Sequence, residues 1–137
     1  MKQRLIISLV MLIGITLSAM GQNKIDNLVN RYSSNTTSKF TSAVERNPKT
    51  HAIAKVVKVL ELNYTNIQPF IDAFEQEANN NDDFSKRRDD NDLIIVLTSR
   101  ESLHNRIYML KAYNYYGANG YRNYRTNSNI IIIVKYK

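Results

Sequence analysis

Cysteine is absent from this 137-residue chain, and histidine, proline and glycine are scarce. Without cysteine the chain can form neither a disulfide nor a thiolate metal site. A domain that lacks such cross-links depends on buried apolar surface for its stability, so we expect one well-formed core.

Histidine and cysteine, which often bind zinc or take part in nucleophilic catalysis, are scarce or absent. The only histidines are His51 and His104, and neither has a second ligand at the spacing typical of a zinc site. Gly117 and Gly120 are not followed by the lysine of a phosphate-binding loop. The GxSxG motif is missing, and the stretch 80–92, in which three cations stand among five aspartates, does not fit an EF-hand. The sequence therefore predicts a protein that is not an enzyme and that has no metal or cofactor.

The first 21 residues have the pattern of a secretory signal peptide. Lys2 and Arg4 precede an apolar run over residues 5–17, and the small residues Ala19 and Gly21 follow it. The apolar run is too short to cross a bilayer as a helix. We therefore predict a signal peptide over residues 1–21, export of the protein, and a single domain over residues 22–137.

Hydrophobic periodicity predicts an α+β domain with the element order αββαβββ. Apolar residues recur at helical spacing in 24–32 and again from Asn66, where Pro69 fits only the first turn. Strand-like alternation or Val/Ile-rich runs occupy 39–46, 51–62, 92–99, 106–113 and 129–136, and 79–92 is predicted as a long exposed loop. We expect a mainly antiparallel sheet of about five strands with two helices packed on it.

Two of the predicted strands, 92–99 and 129–136, are apolar on both faces. Such strands are typical of the middle of a sheet that has one face on a helix and the other face covered. The run "IIIIV" at 130–134 would promote aggregation on an edge strand, so a covered strand or a homodimer is expected.

The segments "NKIDNLVNRYSS", "FTSAVERNPKT", "KVVKVLEL" and "IQPFIDAFEQEA" resemble those of short exported proteins of gut Bacteroidetes, a family whose domain has no known function. The resemblance is more specific before Asp82 than after it. It implies a location in the periplasm or on the outer surface of a Gram-negative bacterium. It implies nothing about activity.

The stretch "YNYYGANGYRNYR" at 113–125 is too polar for a core and too aromatic for an ordinary linker. It has two interpretations: a hairpin connection with half-buried tyrosines, or an exposed recognition loop in which tyrosine gives contact area and asparagine gives hydrogen bonds. In the second interpretation the predicted ligand-binding residues are Tyr115, Tyr116, Tyr121, Arg122, Tyr124 and Arg125.

Positive charge is concentrated near this stretch, since residues 100–137 carry seven basic residues and only Glu101 as an acid. The sequence favours a small exported binding module that contacts a glycan or an anionic surface polymer through the loop. The first alternative is a protein-interaction domain that uses its sheet or helices. The second is a small periplasmic hydrolase built on two carboxylates, or on a carboxylate and a histidine. Because the protein is expected to be exported, nucleic acid is not a predicted partner.

Overall fold

The structure, a computed structural model, describes residues 23–79, 83–115 and 125–137. Its elements in chain order are α1 Lys24–Tyr32, β1 Ser38–Arg46, β2 Ile53–Asn66, α2 Gln68–Ala78, β3 Asp83–Asp89, β4 Asp92–Arg100, β5 His104–Ala112 and β6 Arg125–Tyr136. An antiparallel sheet carries two helices, which confirms the predicted α+β class. The predicted signal peptide lies outside the described residues. Neither described helix has the length and apolar composition that crossing a bilayer would require.

The sheet has six strands in the order β1-β2-β6-β5-β4-β3, so the predicted count of about five strands and the order αββαβββ are wrong by one strand. The additional strand is β3, which lies in the predicted loop 79–92. Its sequence, "DFSKRRD", has no run of alternating apolar residues, and all seven residues are exposed. It is a strand because its backbone pairs with β4 along its whole length, from Asp83 opposite Thr98 to Asp89 opposite Asp92.

The isoleucine run lies in the middle of the sheet. β6 pairs with β2 on one side and with β5 on the other, so residues 130–134 have no open edge. The edges are instead β1 and β3, whose residues are almost all exposed and mostly polar or charged. Polar and charged edge strands of this kind discourage pairing between molecules.

Both helices pack on one face of the sheet. Helix α1 begins with a capping box, because Asn23 Oδ1 accepts the NH of Asp26 at 2.9 Å while Asp26 Oδ2 accepts the NH of Asn23 at 3.3 Å. Helix α2 begins at Gln68, whose NH donates to Asn66 Oδ1 at 3.0 Å, close to the predicted start. The core joins Ile25, Val29, Phe70, Ile71 and Phe74 of the helices to Leu60, Leu62, Leu93, Ile95, Leu97, Tyr108, Leu110, Ile130 and Ile132 of the sheet.

Candidate functional site on the open face of the sheet

The two faces of the sheet differ in what covers them. Along β6, Ile130 and Ile132 belong to the core beneath the helices, so the alternating residues Ile131 and Ile133 lie on the opposite face. The strand register extends this second set across the sheet. Its apolar members are Val57 and Val59 of β2, Ile131 and Ile133 of β6, Ile107 and Met109 of β5, and Ile94 and Val96 of β4.

These eight residues, which we call the apolar band, are separate from the core. Ile94 is buried and the other seven are half-buried, but none belongs to the core cluster or packs against it. The buried residues of both helices lie in the core on the other face. Within the described ranges no helix covers the band, so the expected cover on the second face of the two apolar strands is not found there. A contiguous apolar surface of this kind is typical of a contact site.

A row of four charged residues and one asparagine borders the band at the end of the sheet near the β1–β2 turn. The strand pairings place Glu45, Lys55, Lys135, Asn105 and Arg100 side by side across five strands. Arg100 is already paired with Asp83, whose Oδ2 lies 2.9 Å from Nη2 of the arginine.

Lys55 and Lys135 are directly opposite each other on β2 and β6. Like charges in this position are unfavourable in a sheet. Glu45 lies opposite Lys55 on β1 and offsets part of this repulsion, and an anionic contact over the two lysines would relieve the rest.

The predicted Tyr/Arg site is only partly within the described residues. Tyr116, Tyr121, Arg122 and Tyr124 lie outside them. Arg125 is exposed at the first position of β6, opposite Asn66. β5 and β6 pair as antiparallel neighbours, as the hairpin interpretation requires.

The recognition-loop interpretation predicts an exposed Tyr115, and that expectation is wrong. The residue is only 7% exposed and belongs to the core cluster. Its NH donates to the carbonyl oxygen of Asn91 at 2.7 Å, and its own carbonyl accepts from Arg88 Nη1 at 2.8 Å. The Arg88 guanidinium also lies 5.8 Å from the centre of the tyrosine ring. Tyr115 therefore anchors the β5 end of the connection to the β3–β4 hairpin.

A polar network joins α1 to β5 and was not foreseen from the sequence. The hydroxyl of Tyr108 donates to Asp26 Oδ2 at 2.9 Å, and Arg106 Nη1 lies 3.3 Å from the same oxygen. Burial raises the pKa of Tyr108, and the negative charge of Asp26 raises it further. Burial by itself would lower the pKa of Arg106, but its hydrogen bond with Tyr108 and the charges of Asp26 and Glu101 raise that pKa overall.

The two histidines do not form a recognisable catalytic site. His51 is exposed in the β1–β2 turn. His104 Nε2 lies 2.6 Å from Glu101 Oε2 and 3.0 Å from Arg106 Nε. One nitrogen cannot donate to the carboxylate and also accept from the guanidinium, so only one of these two contacts can be a hydrogen bond at a time. Within the described ranges, no three His, Asp or Glu side chains lie close enough to share a metal ion.

A shallow groove of about 280 Å³ runs between the helices. Leu28, Pro69 and Ala73 contribute its apolar surface, and Lys24, Arg31 and Asp72 contribute its charges. Among the described residues that line it there is neither a histidine nor a second carboxylate. The groove thus lacks the pair of groups that the predicted hydrolase would need.

Comparisons of this chain with protein-family models, with curated proteins and with solved structures gave no match. The resemblance to exported Bacteroidetes proteins stays an expectation.

Proposed function

We propose that this protein is a non-catalytic interaction module that binds a partner protein through the open face of its sheet. The observation that carries the proposal is the apolar band, which both helices leave uncovered within the described ranges. Burying such a band against a partner removes apolar surface from water and so favours association. Export to the periplasm or cell surface, predicted from the sequence, would place the partner there.

The charge at the margin favours a partner whose apolar surface is bordered by carboxylates. Such carboxylates would lie over the Lys55–Lys135 pair and relieve the repulsion between the two lysines. A second copy would bring a second set of lysines into the same interface. An anionic lipid surface would attract the lysines but would also meet Glu45 and Glu61 on the same face.

The test is Lys135→Glu in the purified protein. Replacing the like-charge pair by an opposite-charge pair should raise the free energy of unfolding by about 0.2–1 kcal/mol. The same change should weaken binding to a synthetic amphipathic helix that carries leucine on one face and glutamate along its margins. Chemical denaturation measures the first effect, and fluorescence anisotropy of the labelled peptide measures the second.

The matched control is Arg31→Glu, which makes the same change in net charge on α1, on the other side of the molecule. This variant should bind the acidic peptide as the wild type does. Equal loss of binding in both variants would show a nonspecific charge effect and would contradict the proposal. Analytical ultracentrifugation tests for a dimer. If the wild type dimerises and Ile133→Asp does not, the open face binds a second copy of this chain rather than an acidic partner.

Binding of glycans or anionic polymers by the tyrosine- and arginine-rich stretch 113–125 is a separate prediction. Replacing residues 116–124 by a Gly-Ser linker tests it, and Tyr115 must be retained because it belongs to the core. Loss of binding to dextran sulfate in that variant would support a role for the loop. Unchanged binding of dextran sulfate would contradict a role for the loop, and the open face would stay the proposed contact surface.

A further inference from the structure

Aromatic and amide residues lie near one another in the strand register where the open face meets an irregularity of β2. We call Tyr64, Lys111, Tyr113, Asn127 and Asn129 the tyrosine–asparagine corner. The register between β2 and β6 shifts between Leu62 and Thr65, and Tyr64 is in this bulge. Lys111, Asn127 and Asn129 lie on the same face as the apolar band by strand alternation.

Tyr64 has a backbone conformation that is unfavourable for its residue type. Its φ is 46°, in the left-handed region where glycine and asparagine are better tolerated. Its side chain gains little from packing, because the residue is 70% exposed. A strained residue whose aromatic ring is in solvent is better explained by a surface contact than by folding stability.

Asn127 connects the two tyrosines of the corner. Its Oδ1 accepts the NH of Tyr64 at 2.8 Å, and its carbonyl oxygen accepts the NH of Tyr113 at 2.9 Å. The two tyrosine backbones flank β6 on neighbouring strands, so they lie about 10 Å apart, which is two strand spacings.

The ring of Tyr113 is held in place from two sides. Asn129 Nδ2 donates to its hydroxyl at 3.2 Å, and Lys111 Nζ lies 5.1 Å from the ring centre. The corner therefore combines one fixed aromatic ring, one exposed aromatic ring and two amide side chains.

We propose that the tyrosine–asparagine corner binds a neutral carbohydrate chain. The C–H face of a sugar ring packs on a tyrosine ring, and each sugar hydroxyl both donates and accepts hydrogen bonds, as the amides of Asn127 and Asn129 do. The charges near the corner favour a neutral ligand over an anionic one. Lys111 is directed at the Tyr113 ring, and the carboxylate of Glu61, on the residue opposite Asn129, would repel an anion. The corner uses none of the residues of the apolar band, so it does not depend on the proposed protein contact.

The test is Tyr64→Asn, because asparagine accepts the left-handed conformation but removes the ring. The probes are maltohexaose, cellohexaose, mannohexaose and chitohexaose, measured by isothermal titration calorimetry at low and high salt. At least one probe should bind the wild type with little salt dependence. The variant should bind that probe about tenfold more weakly, which corresponds to ~1.4 kcal/mol. Its midpoint of thermal unfolding should be equal to that of the wild type or higher.

The matched control is His51→Asn. His51 also has a positive φ, 62°, but it is in the β1–β2 turn at the other end of the strands. This variant should gain or keep stability and should bind the sugar as the wild type does. Tyr113→Phe, which keeps the ring but removes the hydroxyl, should bind more weakly than the wild type.

The proposal is overturned if no neutral oligosaccharide binds, if only dextran sulfate binds, or if Tyr64→Asn binds as tightly as the wild type. Lys135→Glu separates this proposal from the protein contact, because it should weaken acidic-peptide binding and leave sugar binding unchanged. If the wild type binds the acidic peptide but no neutral oligosaccharide, the carbohydrate site is contradicted and the proposed protein contact is not.

Discussion

Single residues connect the helices to the sheet through contacts that are distant in the sequence. Asp26 is in the first turn of α1, yet its carboxylate accepts from Tyr108 of β5 across 82 positions. The sequence indicates only the local role of Asp26, which is to favour a helix start. The partners of its carboxylate could not be predicted because they depend on which strand lies beneath the helix.

The burial of Tyr108 makes stability sensitive to alkaline pH. The pKa of Tyr108 is raised in the folded protein, so its proton is retained there at a pH where the tyrosine of the unfolded chain ionises. The stabilising contribution is complete below about pH 10, the ordinary tyrosine pKa, and it is lost as the pH rises above that value.

We expect the free energy of unfolding of the wild type to fall more steeply above about pH 10 than that of Tyr108→Phe. Urea denaturation at a series of pH values measures the two slopes. Tyr136→Phe, which changes an exposed tyrosine, is the matched control and should keep the wild-type slope. Identical slopes for the wild type and Tyr108→Phe would contradict the prediction.

Elements with strong hydrophobic periodicity were predictable, and the element without it was not. The helix at 24–32 and the strands around residues 44 and 57 have apolar residues at helical or alternating spacing, and this spacing is visible in the local sequence. Strand β3 has no such pattern and is held by its pairing with β4 and by the hydrogen bond from Arg88 to the carbonyl oxygen of Tyr115, while Lys86 also lies 2.7 Å from Glu75 of α2. Tertiary pairing therefore overrode a sequence typical of a loop.

We expect the amide protons of β3 to exchange with solvent at least ~100-fold faster than those of β6, a difference of ~2.7 kcal/mol in opening free energy. The reason is that β3 is an exposed edge strand, whereas β6 is paired on both sides. Native-state hydrogen exchange by NMR measures both strands.

The charge contact of β3 should contribute little to its protection. Lys86 and Glu75 are each more than 40% exposed at the side chain, so Glu75→Gln should accelerate exchange in β3 by less than about fivefold. Protection of β3 equal to that of β6 would show that the edge strand opens only with the whole domain, contrary to the prediction.

At the scale of the whole domain, both described helices lie on one face of the six-stranded sheet, and this arrangement makes the two faces unequal over the described residues. Neighbouring isoleucines of β6 therefore contribute differently to the free energy of unfolding, although their side chains are chemically identical. Ile130 is fully buried in the core, whereas Ile131 is half-buried on the open face.

We expect Ile130→Ala to lower the free energy of unfolding by about 2–5 kcal/mol, because it leaves a cavity under the helices. Ile131→Ala should cost only about 1 kcal/mol, since it removes a side chain that is still partly in contact with water. Urea denaturation at low protein concentration measures both. A loss for Ile131→Ala as large as that for Ile130→Ala would show that something covers the apolar band and would contradict an open face.

The sequence by itself determined the class of the fold, the two helices and five of the six strands that the structure describes, the absence of cysteine and the scarcity of histidine. These follow from local periodicity and composition, which act over a few residues. Only the tertiary structure decided that β3 is a strand, that Tyr115 is buried, and that Tyr64 and Tyr113 flank Asn127. The face of the sheet that the helices cover also depends on contacts between distant residues. In the sequence an isoleucine on the open face of β6 is indistinguishable from one in the core, because only the packing of the helices makes the two positions different.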